Sequence, residues 1–329
     1  MPQPGVLILL YHRVADPGAD PQRLAVHPDR FARHLRAIRR SADVLSLAEV
    51  ETAREEGRLP ERGVAITFDD GYADNAGMAA PLLRQAEVPA TFFVTSSYMD
   101  GTREFWWDEL EQWFLRPGVL PATLGLAIGR TTWTAALGSS TTWSEQDARD
   151  HQGWTVDDAD PTPRHTAYRR LCTALKPLAG HDRSRVLDEL AAQIGRTPSV
   201  RPTHAAMTAP QLAALAAEPG LTVGSHGVTH AALGRLPIGE QRRELEDSRT
   251  ALAALTARPV THLAYPFGGR ADQSWRTRRA ARAAGYTMAC ANEPGLVRKR
   301  TPRFRLPRVL VRDWDGPAFD ARLEHWLNG

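Results

Sequence analysis

Lysine and cysteine are nearly absent from this 329-residue chain: Lys176, Lys299, Cys172 and Cys290 are all there are. Two cysteines cannot build a disulfide framework, and no pair has zinc-ribbon spacing, so any metal must be held by histidine and carboxylate. Long apolar runs are missing too. The first, Val6 to Tyr11, follows Met1-Pro-Gln-Pro-Gly without a basic segment and stops at His12-Arg13. It reads as neither a signal peptide nor a membrane span, and no later stretch approaches the ~18 apolar residues a spanning helix needs. The expected location is therefore the cytoplasm.

Charge of one sign is also lacking, since 41 basic residues face 38 acidic ones. Nucleic acid is not an expected partner, because its electrostatic footprint requires basic residues gathered on one face. The densest basic stretch, Val297 to Arg312, reads as a solvated loop entering a strand, with an anion-binding rim as the alternative. The balance of 42% hydrophobic and 24% charged residues is that of a globular protein and excludes collagen-like, coiled-coil and wholly disordered chains. The length allows one large domain or two ordinary ones. Oligomeric state cannot be read from these features.

What the chain does have is alternation. Apolar runs at Val6–Tyr11, Val64–Phe68, Thr91–Thr95, Leu221–Gly224, His262–Tyr265, Tyr286–Cys290 and Leu306–Val311 read as strands. Between them, Phe31–Arg40, Asn75–Gln85, Pro210–Ala217, Gly239–Thr256 and Gln273–Ala284 read as helices, and Thr208 with Gln211 forms a capping-box pattern. This is the signature of an α/β fold with a mostly parallel sheet. The alternation breaks between about Gly101 and Pro202, where six of the nine tryptophans fall. There, Thr131-Thr-Trp133 and Thr141-Thr-Trp143 suggest a hairpin turning at Gly138, followed by helices near Arg164–Lys176 and Arg183–Ile194. The expected organisation is a barrel-like domain of residues 1–100 and 203–329 carrying an insertion of residues 101–202. Trp107, Trp113 and Trp133 are assigned to packing; Trp106 and Trp154 stay open between packing and stacking on a sugar ring.

Three strings carry chemistry. Phe68-Asp69-Asp70-Gly71 puts two adjacent carboxylates where a buried strand ends, the end at which parallel α/β folds gather catalytic groups. Neighbouring carboxylates repel, so the pair becomes favourable when a cation takes one and leaves the other as a base. The alternative is that Asp70 or Asp74 caps the next helix. Ser225-His226-Gly-Val-Thr-His230 also follows an apolar run, and its two imidazoles turn to one side if the segment coils helically. Two histidines and a carboxylate make a facial ligand set for zinc or a similar ion. Histidines outside these strings, such as His27, His34 and His181, read as surface residues. Third, Tyr265-Pro266-Phe267-Gly268-Gly269 ends a strand in a turn that permits close backbone approach to a ligand, with the Phe267 N–H as a candidate oxyanion donor.

Taken in order, Leu9-Leu-Tyr-His-Arg-Val14, Thr67-Phe-Asp-Asp-Gly71, Ala90-Thr-Phe-Phe-Val94, Gly224-Ser-His-Gly-Val-Thr-His230 and Ala264-Tyr-Pro-Phe-Gly268 resemble the polysaccharide deacetylase (NodB homology) family of carbohydrate esterases. The resemblance covers residues 5–97 and 208–312. It implies a distorted (β/α) barrel, here with a Trp-rich helical and hairpin insertion, and metal-dependent removal of acetyl groups from N-acetylated sugars. Asp69 then matches the catalytic base, and Asp70, His226 and His230 match the ligands of a divalent metal, zinc first, with cobalt, nickel, manganese or iron(II) as alternatives. Tyr265, Pro266 and Phe267 match the oxyanion and substrate-binding turn. Two positions depart from the family pattern. The arginine that orients the base is replaced by Ala264, with Arg308 the candidate substitute, and the Leu-x-His that supplies the general acid is missing, with His12 the candidate. His325 has that spacing but belongs to an apparent C-terminal helix. The expected substrate is an N-acetyl amino sugar in a glycan, on a lipid or nucleotide, or in a small natural product. A hydrolase of another C–N bond on the same centre and a carbohydrate-binding pseudoenzyme are the alternatives.

Overall fold

The computed structural model describes residues 4–328, so the first three residues of the N-terminal run and Gly329 fall outside the description. Two compact units are present. One comprises Met1–Asp16, Leu24–Met99 and Ala206–Gly329, the other Pro17–Arg23 and Asp100–Ala205.

The first unit is built on β1 (Val6–Tyr11), β2 (Gly63–Phe68), β3 (Ala90–Val94), β4 (Leu221–Ser225), β5 (His262–Ala264), β6 (Met288–Cys290), β7 (Leu296–Val297) and β8 (Val309–Leu310). Neighbours run in the order β6-β5-β4-β3-β2-β1-β7; β8 also pairs with β1, and short Asp43–Val44 pairs with β2. All pairings are parallel except β1 with β7. Every residue of β1, β2 and β3 is buried, which is why these strands read as unbroken apolar runs: their inner faces pack on one another, Val6, Ile8, Ala65, Phe93, Ala264 and Cys290 sharing one cluster, and their outer faces are covered as well. The sheet curls, and one irregular segment joins its edges. Ala289 N–H donates to Arg303 O at 2.9 Å and Ala291 N–H to Leu306 O at 2.8 Å, while Val311 N–H donates to Leu10 O at 2.9 Å. Leu306 to Val311 thus spans from β6 to β1, and only Val309–Leu310 of the expected Leu306–Val311 strand is regular. Tyr286–Cys290 likewise shortens to β6.

Helix starts follow local chemistry. Thr208 accepts from Gln211 N–H while the Gln211 side chain accepts from Thr208 N–H, the reciprocal cap expected from sequence. The helix expected over Asn75–Gln85 splits into a wide π turn, Asn75–Ala79, and an α-helix, Ala80–Gln85. Pro81 cannot donate to the turn before it, which breaks the regular ladder. Asn75 is also held from below, its side-chain amide donating to His12 O at 2.8 Å. His34 is a correction. It is fully buried, with Nδ1 3.3 Å from Tyr11 Oη, Nε2 2.9 Å from Trp314 O, and its ring stacked on Phe319.

In the second unit the hairpin lies elsewhere than expected. Thr123–Ile128 pairs antiparallel with Thr131–Ala136 about a Gly129-Arg130 turn, with Gly129 at φ +60°. Leu124, Leu126 and Ile128 point inward and the residues between them outward, the period-2 alternation of a half-buried strand. Gly138 instead opens a short 3₁₀ turn, after which Thr142–Trp143 pairs with Gly118–Val119. The helices are Trp106–Phe114, Glu145–Asp150, Pro163–Leu175 and Gly180–Gln193. Arg164 is wholly buried and donates to the carbonyls of Phe114, Gly118, Ser140 and Thr141, tying the segment after the Trp106–Phe114 helix to the turn at Ser140–Thr141. The six tryptophans here are all buried, including Trp106 and Trp154.

Gly224 in β4 has no room for a side chain: a Cβ there would lie 2.5 Å from the Phe93 ring and 3.0 Å from His262 O. Gly224→Ala should destabilise the fold by ~1–3 kcal/mol, the usual cost of overpacking. Urea unfolding measures it, and an unchanged midpoint would contradict this packing.

Candidate active site

At the C-terminal edge of the sheet the ladder runs one residue past β2, Asp69 N–H donating to Tyr11 O at 2.9 Å. The chain then turns. Asp70 takes φ +74° and its carbonyl accepts from Thr95 N–H at 3.0 Å, just beyond β3. Asp69 Oδ2 and Asp70 Oδ1 consequently approach the same atom, His226 Nε2, at 3.7 and 3.6 Å. Neither aspartate caps a helix. Asp74, the other capping candidate, accepts instead from Arg13 Nε at 2.9 Å and Val14 N–H at 3.2 Å.

His226 extends β4, its N–H donating to Val94 O. Its Nδ1 lies 2.8 Å from Ala264 O, and a carbonyl only accepts, so Nδ1 carries the proton and Nε2 turns a lone pair towards the aspartates. The segment to His230 is not helical. Gly227 at φ +79° and His230 at φ +55° reverse it, bringing His230 Nε2 to 3.2 Å from Asp70 Oδ1. That loop is fixed by a residue the sequence reading missed, Glu244, whose carboxylate accepts from Val228 N–H at 2.7 Å, Thr229 N–H at 3.0 Å and the Thr229 hydroxyl at 2.5 Å. Nothing local marks it, since Glu244 stands in the charged helical run Glu240-Gln-Arg-Arg-Glu.

Arg308 comes in from the segment that joins the sheet edges. Fully buried, it grips Asp69 with two parallel bonds, Nη1 to Oδ1 and Nη2 to Oδ2, both 2.7 Å. Its Nε donates to Ala291 O at 3.0 Å, its Nη1 to the Thr67 hydroxyl at 3.2 Å, and its plane lies over the Phe93 ring. Burial alone would push the Asp69 carboxyl up; the Arg308 guanidinium, with His226, outweighs it and holds Asp69 at about 2. Burial pushes Asp70 up and His226 and His12 down, each towards its neutral form.

Asp70, His226 and His230 fit a metal. Each offers one ligand atom, all within 4.8 Å of one another and all buried. Asp70 Oδ1 accepts no hydrogen bond, an expensive state for a buried carboxylate unless a cation meets it. Of the other expected residues, His12 follows β1, half-buried, its Nδ1 without a hydrogen-bond partner. Phe267 takes φ +61°, its ring edge-on to His230 at 4.6 Å. Asp70, His230 and Phe267 are thus three non-glycine residues in the left-handed region, a strain that proteins concentrate at functional sites. Pro266 is buried. Tyr265 is a correction: its hydroxyl donates to Phe304 O at 3.2 Å inside the core, so its side chain packs and does not face a ligand.

The profile of the family described as Polysaccharide deacetylase matches residues 56–120 and 154–289, more than half of the chain. The chain belongs to the polysaccharide deacetylase family. Asp69, Asp70, His226, His230 and the Tyr265–Phe267 turn all lie in the segments matched to this deacetylase profile, whereas His12 and Arg308 lie outside them. YxkH of Bacillus subtilis (strain 168) is 30% identical over 109 residues, 33% of this chain and 38% of that one. The poly-beta-1,6-N-acetyl-D-glucosamine N-deacetylase of Escherichia coli (strain K12) is 29% identical over 101 residues, 30% of this chain and 15% of that protein. The match therefore spans well under half of either relative. In three dimensions the chain is similar to the Streptococcus pyogenes deacetylase PplD in complex with acetate, with a TM-score of 0.56 at 17% identity over 99% of both chains. That likeness supports the deacetylase barrel fold.

If Glu244 sets the loop between the two histidines, Glu244→Ala should weaken the affinity of the Asp70, His226 and His230 group for an added divalent ion ~10–100-fold, as loss of a group supporting metal ligands does. Competition with a chelator measures this. Wild-type affinity in the variant would show that the loop holds its own shape.

Proposed function

We propose that this chain is a metal-dependent N-deacetylase of an amino sugar, with a divalent ion, zinc by preference, held by Asp70, His226 and His230. The observation that carries the reading is the convergence of those three groups beside a carboxylate that Arg308 keeps ionised and oriented. The family and the name of the Escherichia coli relative support an N-acetylated sugar as substrate. When bound, the ion would polarise the amide carbonyl and bring the pKa of water from ~16 towards ~7.

The chain's own groups supply the rest. Asp69 takes the proton from the attacking water; its low pKa keeps it unprotonated and ready at neutral pH. Arg308 prevents the Asp69 carboxylate from rotating, because both oxygens are engaged at once. His226 is aimed by Ala264 O, so the position that lacks the family's arginine still contributes through its backbone. The Phe267 N–H is assigned to the oxyanion, and His12, once it has taken up a proton, to protonation of the departing amine. With one carboxylate given to a metal, the other is left as a base, a division of labour with no use in a protein that only binds sugar.

Two experiments separate the roles. Asp69→Asn should keep one metal per chain by elemental analysis yet lose ~10²–10⁴-fold in turnover, whereas His226→Ala or His230→Ala should lose the metal itself, a two-ligand remnant holding it poorly. Full turnover in metal-bound Asp69→Asn, or unchanged stoichiometry in both histidine variants, would overturn the assignment. Arg308→Met removes the charge that opposes burial, so the Asp69 pKa rises and the acidic limb of the kcat/KM–pH profile moves to higher pH with metal content intact. An unmoved limb would take Arg308 out of the mechanism.

A further inference from the structure

The second unit holds a cavity of about 160 Å³ that the reaction above leaves unused. Trp143, Trp154, His151 and His165 form its aromatic wall. The His165 ring stands edge-on to Trp143 and Trp154 at 5.6 and 4.5 Å, and His151 lies 5.1 Å from it. Each imidazole commits one nitrogen to the protein: His151 Nδ1 to Asp147 O, and His165 Nδ1 to the Thr162 hydroxyl, both at 2.8 Å. Their Nε2 atoms have no hydrogen bond among the described residues. Trp154 donates its indole N–H to Ala159 O at 3.0 Å. The buried indole N–H of Trp143 has no acceptor; those of Trp106 and Trp133 lack one too, but their rings do not line this cavity.

The remaining wall is part apolar, through Leu115, Pro117 and Ala148, and its charged side chains balance, two glutamates against two arginines. Glu111 is neutralised by Arg116 at 2.6 Å and Arg201 at 2.5 Å, and the charge of exposed Glu145 is offset by that of exposed Arg149 on the same wall. Burial pushes the His165 imidazole down to about 4, so it too is neutral at pH 7. A small space lined by indole rings, with open ring nitrogens and balanced charges, complements a neutral ring bearing hydroxyls on its edge and C–H groups on its face.

We propose that this cavity is a second sugar-binding site, taking one uncharged pyranose ring of an N-acetylated glycan. It rests on the deacetylase reading for the identity of the sugar. An N-acetylhexosamine offers C–H groups to the indoles and hydroxyls to the imidazole nitrogens, whereas a deacetylated ring carries an ammonium, and the Trp143 and Trp154 rings already hold the guanidinium groups of Arg164 and Arg169 at 5.4 and 5.3 Å, which repel a second cation. A second point of attachment raises the effective concentration of a polymer at the protein without any change at the catalytic centre.

The test is a titration of the full chain, ¹⁵N-labelled, with N-acetylglucosamine and separately with glucosamine, following the indole N–H resonances; Trp143→Phe identifies the Trp143 signal. That signal should shift saturably with N-acetylglucosamine and far less with glucosamine. Ala148→Leu, which fills the cavity from the Glu145–Asp150 helix without removing a core side chain, should weaken binding by ~10-fold or more. His151→Gln, at a half-buried position, should do the same independently. The absence of a saturable shift, an equal response to glucosamine, or unchanged binding in both variants would overturn the site. Failure of the deacetylase reading would appear separately, as no acetate release from any N-acetyl sugar while the Trp143 titration persists.

Discussion

The site depends on one buried ion pair. Asp69 and Arg308 are 239 residues apart in sequence and meet through two 2.7 Å bonds inside the curled sheet, where a lone charge of either sign would be strongly disfavoured. Each residue also ties down a piece of fold. Asp69 continues the ladder between β1 and β2, and Arg308 lies on the segment that links β6 to β1, its Nε anchored on Ala291 O. The contact that orients the carboxylate therefore also joins the two edges of the sheet, and site geometry is coupled to closure.

Around this pair the remaining groups are held by backbone more than by other side chains. Ala264 O sets the tautomer of His226, and Val94 O and Thr95 N–H fix the chain at His226 and Asp70. Three left-handed residues, Asp70, His230 and Phe267, supply the sharp reversals. Such conformations persist only where the surroundings determine them, and here the surroundings are the ends of parallel strands plus the Glu244 carboxylate clamped on the histidine loop. The carboxylates differ for the same reason. Asp69, facing a guanidinium, is held ionised, while Asp70, equally buried but without an arginine in contact, is pushed towards protonation unless a cation meets it.

The parts of this arrangement written locally were legible. The Asp-Asp-Gly and His-x-x-x-His strings mark strand ends, and β1 to β3, buried on both faces, announce themselves as apolar runs. Arg308 was legible only as a candidate, because the vacancy at Ala264 implies that some cation is needed but not which of seven basic residues between Arg298 and Arg312 turns inward. Glu244 was invisible, since a glutamate in a charged helix looks like every other until the helix is packed. The insertion misled through repetition: two Thr-Thr-Trp strings mimic paired strands, yet the true pairing follows the alternation in Thr123–Ile128, where the inward residues are leucine and isoleucine. His34 was misplaced because a single histidine carries no sign of its burial, which here comes from Tyr11, Trp314 and Phe319, all distant in sequence.

The claim that ties these observations together is that Asp69 and Asp70, though adjacent, have separate duties: one belongs to Arg308, the other to a metal. The most direct test is a crystal structure of the zinc-loaded protein with an anomalous map at the zinc edge. The account predicts a single peak bonded to one Asp70 oxygen, His226 Nε2 and His230 Nε2, with Asp69 still paired to both Arg308 nitrogens and outside bonding distance of the metal. A peak elsewhere, or an Asp69 carboxylate released from Arg308 and ligating the ion, would contradict it.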